Sequence, residues 1–179
     1  MNQTYVALLR GINVGGNAKV EMKKLKHIFE RLGYSNISTY INSGNVIFDT
    51  DQSRDSIVSH IESALHKELG LSIRIVIRNK KQVEEIAESV PKNWTNDASQ
   101  RTDVLFLWDE VNSPKVLTEI LINPSVDILM YKDGAVIWHL DRAHYSKSKM
   151  HKLIGTRVYK QMTGRNINTV RKLRDLMNK

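Results

Sequence analysis

The chain has 179 residues, a hydrophobic fraction of 41%, a net charge of +8 and no cysteine. A globular chain of this size can bury a core without disulfides, and the missing thiols exclude thiolate metal sites and cysteine nucleophiles. No run approaches the ~18 apolar residues of a membrane helix and no charged leader precedes the first apolar segment, so we expect a cytoplasmic protein with no membrane partner.

The first part of the chain alternates between strand and helix patterns. An apolar run at 5–9 predicts a strand, and apolar residues three, four and seven apart predict a helix over 22–32 that ends at Gly33. Two strand-like runs, 37–41 and 46–48, flank a hairpin loop at 42–45. A second helical stripe over 57–69, capped by Asp51 or Ser53, ends at Gly70 before a strand at 73–77. This order predicts a ferredoxin-like βαββαβ subdomain over 1–78.

Two glycine-centred loops are expected at the same end of that sheet. The first follows strand one at residues 10–16, and the second is the hairpin loop at 42–45. In a split βαβ arrangement each crossover helix returns the chain to its starting end, so the first and second strands run in the same direction. Their C-terminal ends, and the loops that follow them, should therefore lie together.

The sequence of residues 79–179 predicts a second, smaller α+β subdomain packed against the first. A short helix over 83–90 and a polar linker at 92–101 precede a strand at 104–108. Ser113-Pro114 should open another helix, and strands at 128–131 and 135–140 should flank an Asp133-Gly134 hairpin turn. One or two basic helices should end the chain, the last of them capped by Thr163 or Asn166. The predicted class is α+β.

The basic charge is concentrated near the C-terminus. Residues 142–179 contain 11 Lys or Arg against one acid, Asp175, whereas the first 141 residues contain 16 basic and 18 acidic residues. Such asymmetry indicates an anionic partner, although a solvated lysine-rich face that aids solubility explains it equally well. The predicted basic patch comprises Lys147, Lys149, Lys152, Arg157 and Lys160.

The glycine loops favour an anion site more than any particular reaction. Gly11 and Gly16 are spaced like the glycines of a phosphate-binding P-loop, but Asn17-Ala18 replaces the required lysine and hydroxyl, and no dinucleotide fingerprint occurs. A flexible loop before a helix N-terminus still suits an anion, although turn geometry alone also explains these residues. The predicted ligand-binding residues are Arg10, Gly11, Asn13, Gly15, Gly16, Ser43, Gly44, Asn45, Arg165 and Asn168.

Neither a metal, a cofactor nor a catalytic residue is predicted. His139, Asp141 and His144 lack the spacing of a specific metal motif, and no serine lies in a nucleophile-elbow sequence. His144 and His151 are instead expected to add to the basic region.

Three ordered motifs resemble those of an uncharacterised bacterial family of unknown function. They are ALLRGINVGG at 7–16, YINSGNV at 40–46 and RNxNTV at 165–170, and the resemblance extends over nearly the whole chain. It implies an α+β fold of two subdomains, the first ferredoxin-like, and it implies no activity. In this chain Ile167 occupies a position that the family usually fills with tryptophan.

Three functions remain open. The first is binding of nucleic acid or another phosphate-rich partner through the basic segment, and the second is an enzyme acting on a small phosphorylated or carboxylated metabolite at the glycine loops. The third is a structural or oligomer-forming protein. The absence of an aromatic RNA-binding signature weighs against nucleic acid. The sequence determines neither the substrate nor the oligomeric state.

Overall fold

The computed structural model describes residues 2–16 and 18–179, which form two compact units. The first unit comprises Met1–Lys81 with Leu176–Lys179, and the second comprises Gln82–Asp175. Each unit is built around its own four-stranded antiparallel sheet. The chain is therefore α+β, as predicted.

The first unit has the strand order β2-β3-β1-β4, which is that of a ferredoxin-like sheet. Its elements are β1 (Gln3–Leu9), α1 (Met22–Arg31), β2 (Ser35–Tyr40), β3 (Asn45–Thr50), α2 (Arg54–Leu69) and β4 (Ile75–Asn79). The predicted helical stripes are confirmed, because Leu25, Ile28 and Phe29 of α1 pack in one core with Ile57 and Ile61 of α2. Ser53 accepts the capping hydrogen bond of α2, and Gly70 ends it in the left-handed conformation.

The second unit repeats this strand order as β6-β7-β5-β8. Its elements are α3 (Lys80–Ser89), which begins in the first unit, and then β5 (Gln100–Leu107), β6 (Ile128–Lys132), β7 (Ala135–Asp141), β8 (Met162–Asn166) and α4 (Ile167–Met177). The predicted Asp133-Gly134 hairpin joins β6 to β7. Short 3₁₀ helices occupy the two crossovers where the first unit has α1 and α2.

The two sheets also agree in register. Leu9 pairs with Ile75 in the first unit, and Leu107 pairs with Met162 in the second. Beyond those pairs, Arg10 N donates to Arg74 O at 3.0 Å, and Trp108 N donates to Gln161 O at 3.2 Å. The second subdomain is therefore a second ferredoxin-like sheet, although no fixed-period repeat is visible in the sequence.

Two segments predicted to be helical are 3₁₀ helices rather than α-helices. Residues 114–119 form a 3₁₀ helix, because a six-residue segment gains too few hydrogen bonds to offset α-helix nucleation. Of the one or two basic helices predicted at the end of the chain, α4 is α-helical, whereas residues 142–161 contain three short 3₁₀ helices. Thr156 Oγ1 bonds the carbonyl of Leu153, and Gly155 adopts φ +92°, so local bonding and a left-handed residue interrupt the segment.

Two further sequence expectations about this unit need correction. Residues 92–101 are not a linker, because Arg171 donates to the carbonyls of Pro91 and Trp94 and thereby holds the segment within the second unit. Thr163, one of the two predicted caps of the last helix, lies inside β8, a strand that the sequence did not predict. The other predicted cap is confirmed, because Asn166 Oδ1 accepts from Thr169 N at 2.9 Å.

Gly44 joins the hairpin of the first unit to the end of β1. Its carbonyl accepts from Leu9 N at 2.9 Å, and its φ is +80°. A Cβ at this position would lie 2.7 Å from Ile12 Cδ1 and 2.8 Å from Leu9 Cβ. Only glycine satisfies both the backbone angle and this close approach.

Asp127 organises the second unit from a position where it is only 3% exposed. One carboxylate oxygen accepts from Trp138 Nε1 and Ser148 Oγ, and the other accepts from the backbone N–H groups of Asn123 and Lys149. Burial raises the pKa of Asp127, but these four hydrogen bonds together outweigh burial and leave the pKa below its ordinary value. The carboxylate thus ties β7 to the loops on either side of the β6–β7 hairpin.

We predict that Gly44→Ala lowers the free energy of unfolding by about 2–4 kcal/mol, since left-handed strain and overpacking add. Gly33→Ala is the matched control, because Gly33 has φ +81° with no atom within 4 Å of the added Cβ. Gly33→Ala should lower the free energy of unfolding by only about 1–2 kcal/mol. Urea denaturation measures both, and equal losses would contradict the steric argument.

Asp127 should make stability pH-dependent. A carboxyl with a lower pKa in the folded state stabilises fully above its unfolded pKa of about 3.9, and this stabilisation is lost as the pH falls through the folded pKa. We expect Asp127→Asn to lower the free energy of unfolding by on the order of 3 kcal/mol at pH 7 and by less at pH 3. Urea denaturation at both pH values, with the exposed Asp51→Asn as control, measures this. A difference from wild type that stays constant with pH would disprove it.

Candidate functional site

The two glycine loops lie together, as the strand order predicted. Asn13 Nδ2 donates to Asn42 O at 2.8 Å and to Val20 O at 2.8 Å, and Asn13 Oδ1 accepts from Val20 N at 2.8 Å. The side chain therefore links the loop after β1 to the β2–β3 hairpin and to the residues before α1. Because both amide hydrogens of Asn13 are used in this way, its primary role is structural, and its predicted role as a ligand residue stays a prediction.

An open cleft of about 770 Å³ lies beside these loops. Its lining combines loop residues with the start of α1: Asn13, Gly16, Lys19, Val20, Glu21, Met22, Lys23 and Asn42. Lys19 and Lys23 are exposed and form no ion pair or side-chain hydrogen bond with residues 2–16 and 18–179. Glu21 precedes α1 but makes no side-chain capping hydrogen bond. The cleft thus presents two cations and the uncapped first turn of a helix to solvent.

Apart from Gly16, the other predicted residues of the first unit do not line this cleft. Asn45 is fully buried and donates to Tyr40 O at 2.9 Å and to Ser43 Oγ at 3.0 Å. These bonds stabilise the hairpin turn. Arg10 is half-buried and also engaged within the protein. The exposed glycines of the first loop, Gly11, Gly15 and Gly16, all have positive φ with open space around them.

Arg165 and Asn168 belong to the second unit. Arg165 is buried, donates to Thr163 Oγ1 and Gly164 O, and burial lowers its pKa to about 10, so it remains charged at neutral pH. Asn168 Nδ2 donates to Asn96 O at 2.8 Å. Both side chains thus make hydrogen bonds inside their own unit.

The predicted basic patch follows the interrupted 3₁₀ segment. Lys149 is half-buried and its backbone N–H bonds Asp127, whereas Lys147, Lys152, Arg157 and Lys160 are exposed. The segment 142–161 contains no acidic residue.

His139 has a defined environment in the second unit. Its ring stacks on Trp94 with centroids 4.1 Å apart and an interplanar angle of 5°. Thr102 Oγ1 uses its proton to bond Thr95 O, so His139 Nδ1 donates to Thr102. Burial lowers the pKa of His139 despite the opposing charge of Asp141, which keeps the ring neutral at pH 7. Within the described ranges, no three His, Asp or Glu side chains are placed to hold a metal ion.

Sequence reasoning missed the two lysines of the cleft. Lys19 and Lys23 lie three and seven residues after Gly16, so their spacing across the start of a predicted helix was the available signal. Their position in the same cleft as Asn42 follows only from the folded structure.

Comparison with known proteins agrees with this architecture. A solved structure, described as "The structure of conserved bacterial protein SP0830 from Streptococcus pneumoniae", matches with a TM-score of 0.84 and 27% identity over 99% of each chain. No curated protein matches. In the part of the chain that the structure describes, every helix is too short or too polar to cross a bilayer. A family model described as "Protein of unknown function (DUF1697)" matches residues 1–138. The chain belongs to this family.

Proposed function

We propose that the protein binds a small anionic ligand, phosphorylated or carboxylated, in the cleft beside the glycine loops. The observation that carries this proposal is the pair of exposed lysines, Lys19 and Lys23, which line the cleft with no ion pair to residues 2–16 and 18–179. Two cations against the single acid Glu21 leave the lining with a positive balance. Lysine is a common ligand of phosphate as a point charge.

The backbone adds to this electrostatic field. The N-terminal end of α1 carries partial positive charge, and its N-cap residue Glu21 makes no side-chain capping hydrogen bond. The Asn13–Asn42 hydrogen bond holds both walls of the cleft in place before a ligand arrives. Preorganised walls reduce the ordering cost of binding.

The missing cysteines suit a reducing compartment, which supports a cytoplasmic location.

Thermal-shift screening against phosphorylated and carboxylated metabolites, with inorganic phosphate as reference probe, tests the proposal. We expect Lys23→Gln to weaken affinity for the probe by about fivefold to tenfold, the effect of losing one charge-assisted contact. Lys24→Gln is the matched control, because Lys24 is also exposed on α1 but does not line the cleft. Equal losses of affinity in the two variants would contradict binding of the ligand in the cleft. Turnover of any metabolite in the screen would favour the enzyme alternative.

A second candidate function is nucleic-acid binding by the basic segment 142–161. Its support is the accumulation of six basic residues without one acid, in a segment whose side chains are mostly exposed. Those basic residues are Arg142, Lys147, Lys149, Lys152, Arg157 and Lys160. Cations clustered in this way neutralise phosphates, and the resulting affinity falls steeply with salt.

Charge reversal separates this candidate from a solubility role. Lys147, Lys152 and Lys160 should be changed together to glutamate, while Lys149 is spared because its backbone contacts Asp127. We expect about a tenfold or greater loss of affinity for an oligonucleotide in fluorescence anisotropy, with a shallower salt dependence. The control is the triple reversal of the exposed Lys24, Lys67 and Lys92, which changes the net charge equally. If both triple variants bind alike, the segment is not the interface.

A further inference from the structure

Two large apolar side chains are exposed on the loops that frame the cleft. Val14 is 62% exposed in the loop after β1, and Ile41 is 47% exposed in the hairpin turn. Each lies one residue from the Asn13–Asn42 hydrogen bond that joins the loops. Val14 and Ile41 are therefore next in sequence to the two residues that this bond joins, and neither of them belongs to the lining of the cleft itself.

Ile41 adopts a backbone conformation that β-branched residues rarely take. Its φ is +49°, in the left-handed region where the branched Cβ crowds the backbone. Asparagine or glycine would fit this turn position without that strain. An exposed isoleucine here gains little burial in return. Proteins retain backbone strain of this kind mostly at ligand-binding sites and active sites.

The cleft itself combines apolar and cationic lining. Val20 is 5% exposed and Met22 is half-buried, and both lie between Lys19 and Lys23 in sequence. An inorganic anion would contact only the lysines and the polar loop groups. The apolar lining, together with Val14 and Ile41, gains favourable contacts only from a ligand that also carries an apolar group.

We infer that the ligand of this cleft is a soluble amphipathic anion, a phosphate or carboxylate joined to an alkyl or aromatic group. Lys19 and Lys23 bind the charged end, and Val14 and Ile41 cover the apolar part from the two loop tips. This inference rests on the proposed function of the cleft and specifies its ligand class. The gain from covering apolar surface offsets the strain that Ile41 carries in the free protein.

Isothermal titration with octyl phosphate, kept below its critical micelle concentration, and with inorganic phosphate tests the inference. Wild type should bind octyl phosphate at least about tenfold more tightly, because several methylene groups leave water. Ile41→Asn should raise the melting temperature by about 2–5 °C through relief of strain, and should weaken octyl phosphate binding by about fivefold. Ile41→Met, which keeps an apolar side chain, should retain most of the affinity. Binding of inorganic phosphate should be unchanged in both variants.

The outcomes separate this inference from the proposed function. Equal affinity of wild type for the two phosphates, or unchanged octyl phosphate affinity in Ile41→Asn, overturns the amphipathic ligand but leaves anion binding intact. Binding of neither phosphate overturns this inference, and the proposed function is lost with it if the carboxylated metabolites of the thermal-shift screen also fail to bind. Sedimentation with vesicles of phosphatidylglycerol and phosphatidylcholine provides a third arm. Attachment to these vesicles without binding of free octyl phosphate overturns the inference in favour of a lipid surface.

Discussion

One hydrogen bond, from Leu9 N to the carbonyl of Gly44, closes the first unit at the end of its sheet that carries the candidate site. It joins the last residue of the central strand β1 to the turn of the neighbouring hairpin. The bond requires a residue without a side chain, since Leu9 and Ile12 occupy the space where a Cβ would lie. Everything that forms the cleft, from the Asn13 linkage to the start of α1, is built on the two segments that this bond holds together.

The second unit uses the same device with different residues. Leu107 N donates to Gly134 O at 3.0 Å, again from the end of a central strand to a hairpin glycine. Asn112, in the loop after β5, accepts from Gly134 N and donates to Asp133, as Asn13 donates to Asn42 in the first unit. An asparagine that links the first loop to the hairpin is thus part of how each sheet is closed. This parallel favours a structural role for Asn13 and directs attention to Lys19 and Lys23.

The sequence predicted those parts of the fold that local physics decides. The apolar spacing of α1 and α2, the Ser53 cap and the Asp133-Gly134 turn all depend on residues close in the chain, and all are confirmed. The crossovers of the second unit were not predictable in this way. There Asp127 accepts hydrogen bonds from Ser148 and from the backbone N–H of Lys149, and a contact between residues some twenty positions apart has no signal in the local sequence.

The site was predictable only in part for a similar reason. Strand order places the two loops together, but polar residues named as ligands turned out to bond the protein's own backbone, as Asn13 and Asn45 do. No propensity indicates a left-handed isoleucine at position 41, because that conformation opposes the residue's own preference.

The hydrogen bonds from Arg171 and Asn168 to the carbonyls of residues 91–96 have a consequence for synthesis on the ribosome. The donors lie more than seventy residues downstream of their acceptors, and β8 must also be translated before it can pair with β5. The first sheet, by contrast, is complete once residue 79 has emerged. During translation the second sheet therefore lacks β8 for a long interval after all four strands of the first sheet have been made, and its unpaired strand edge is exposed to aggregation during that interval.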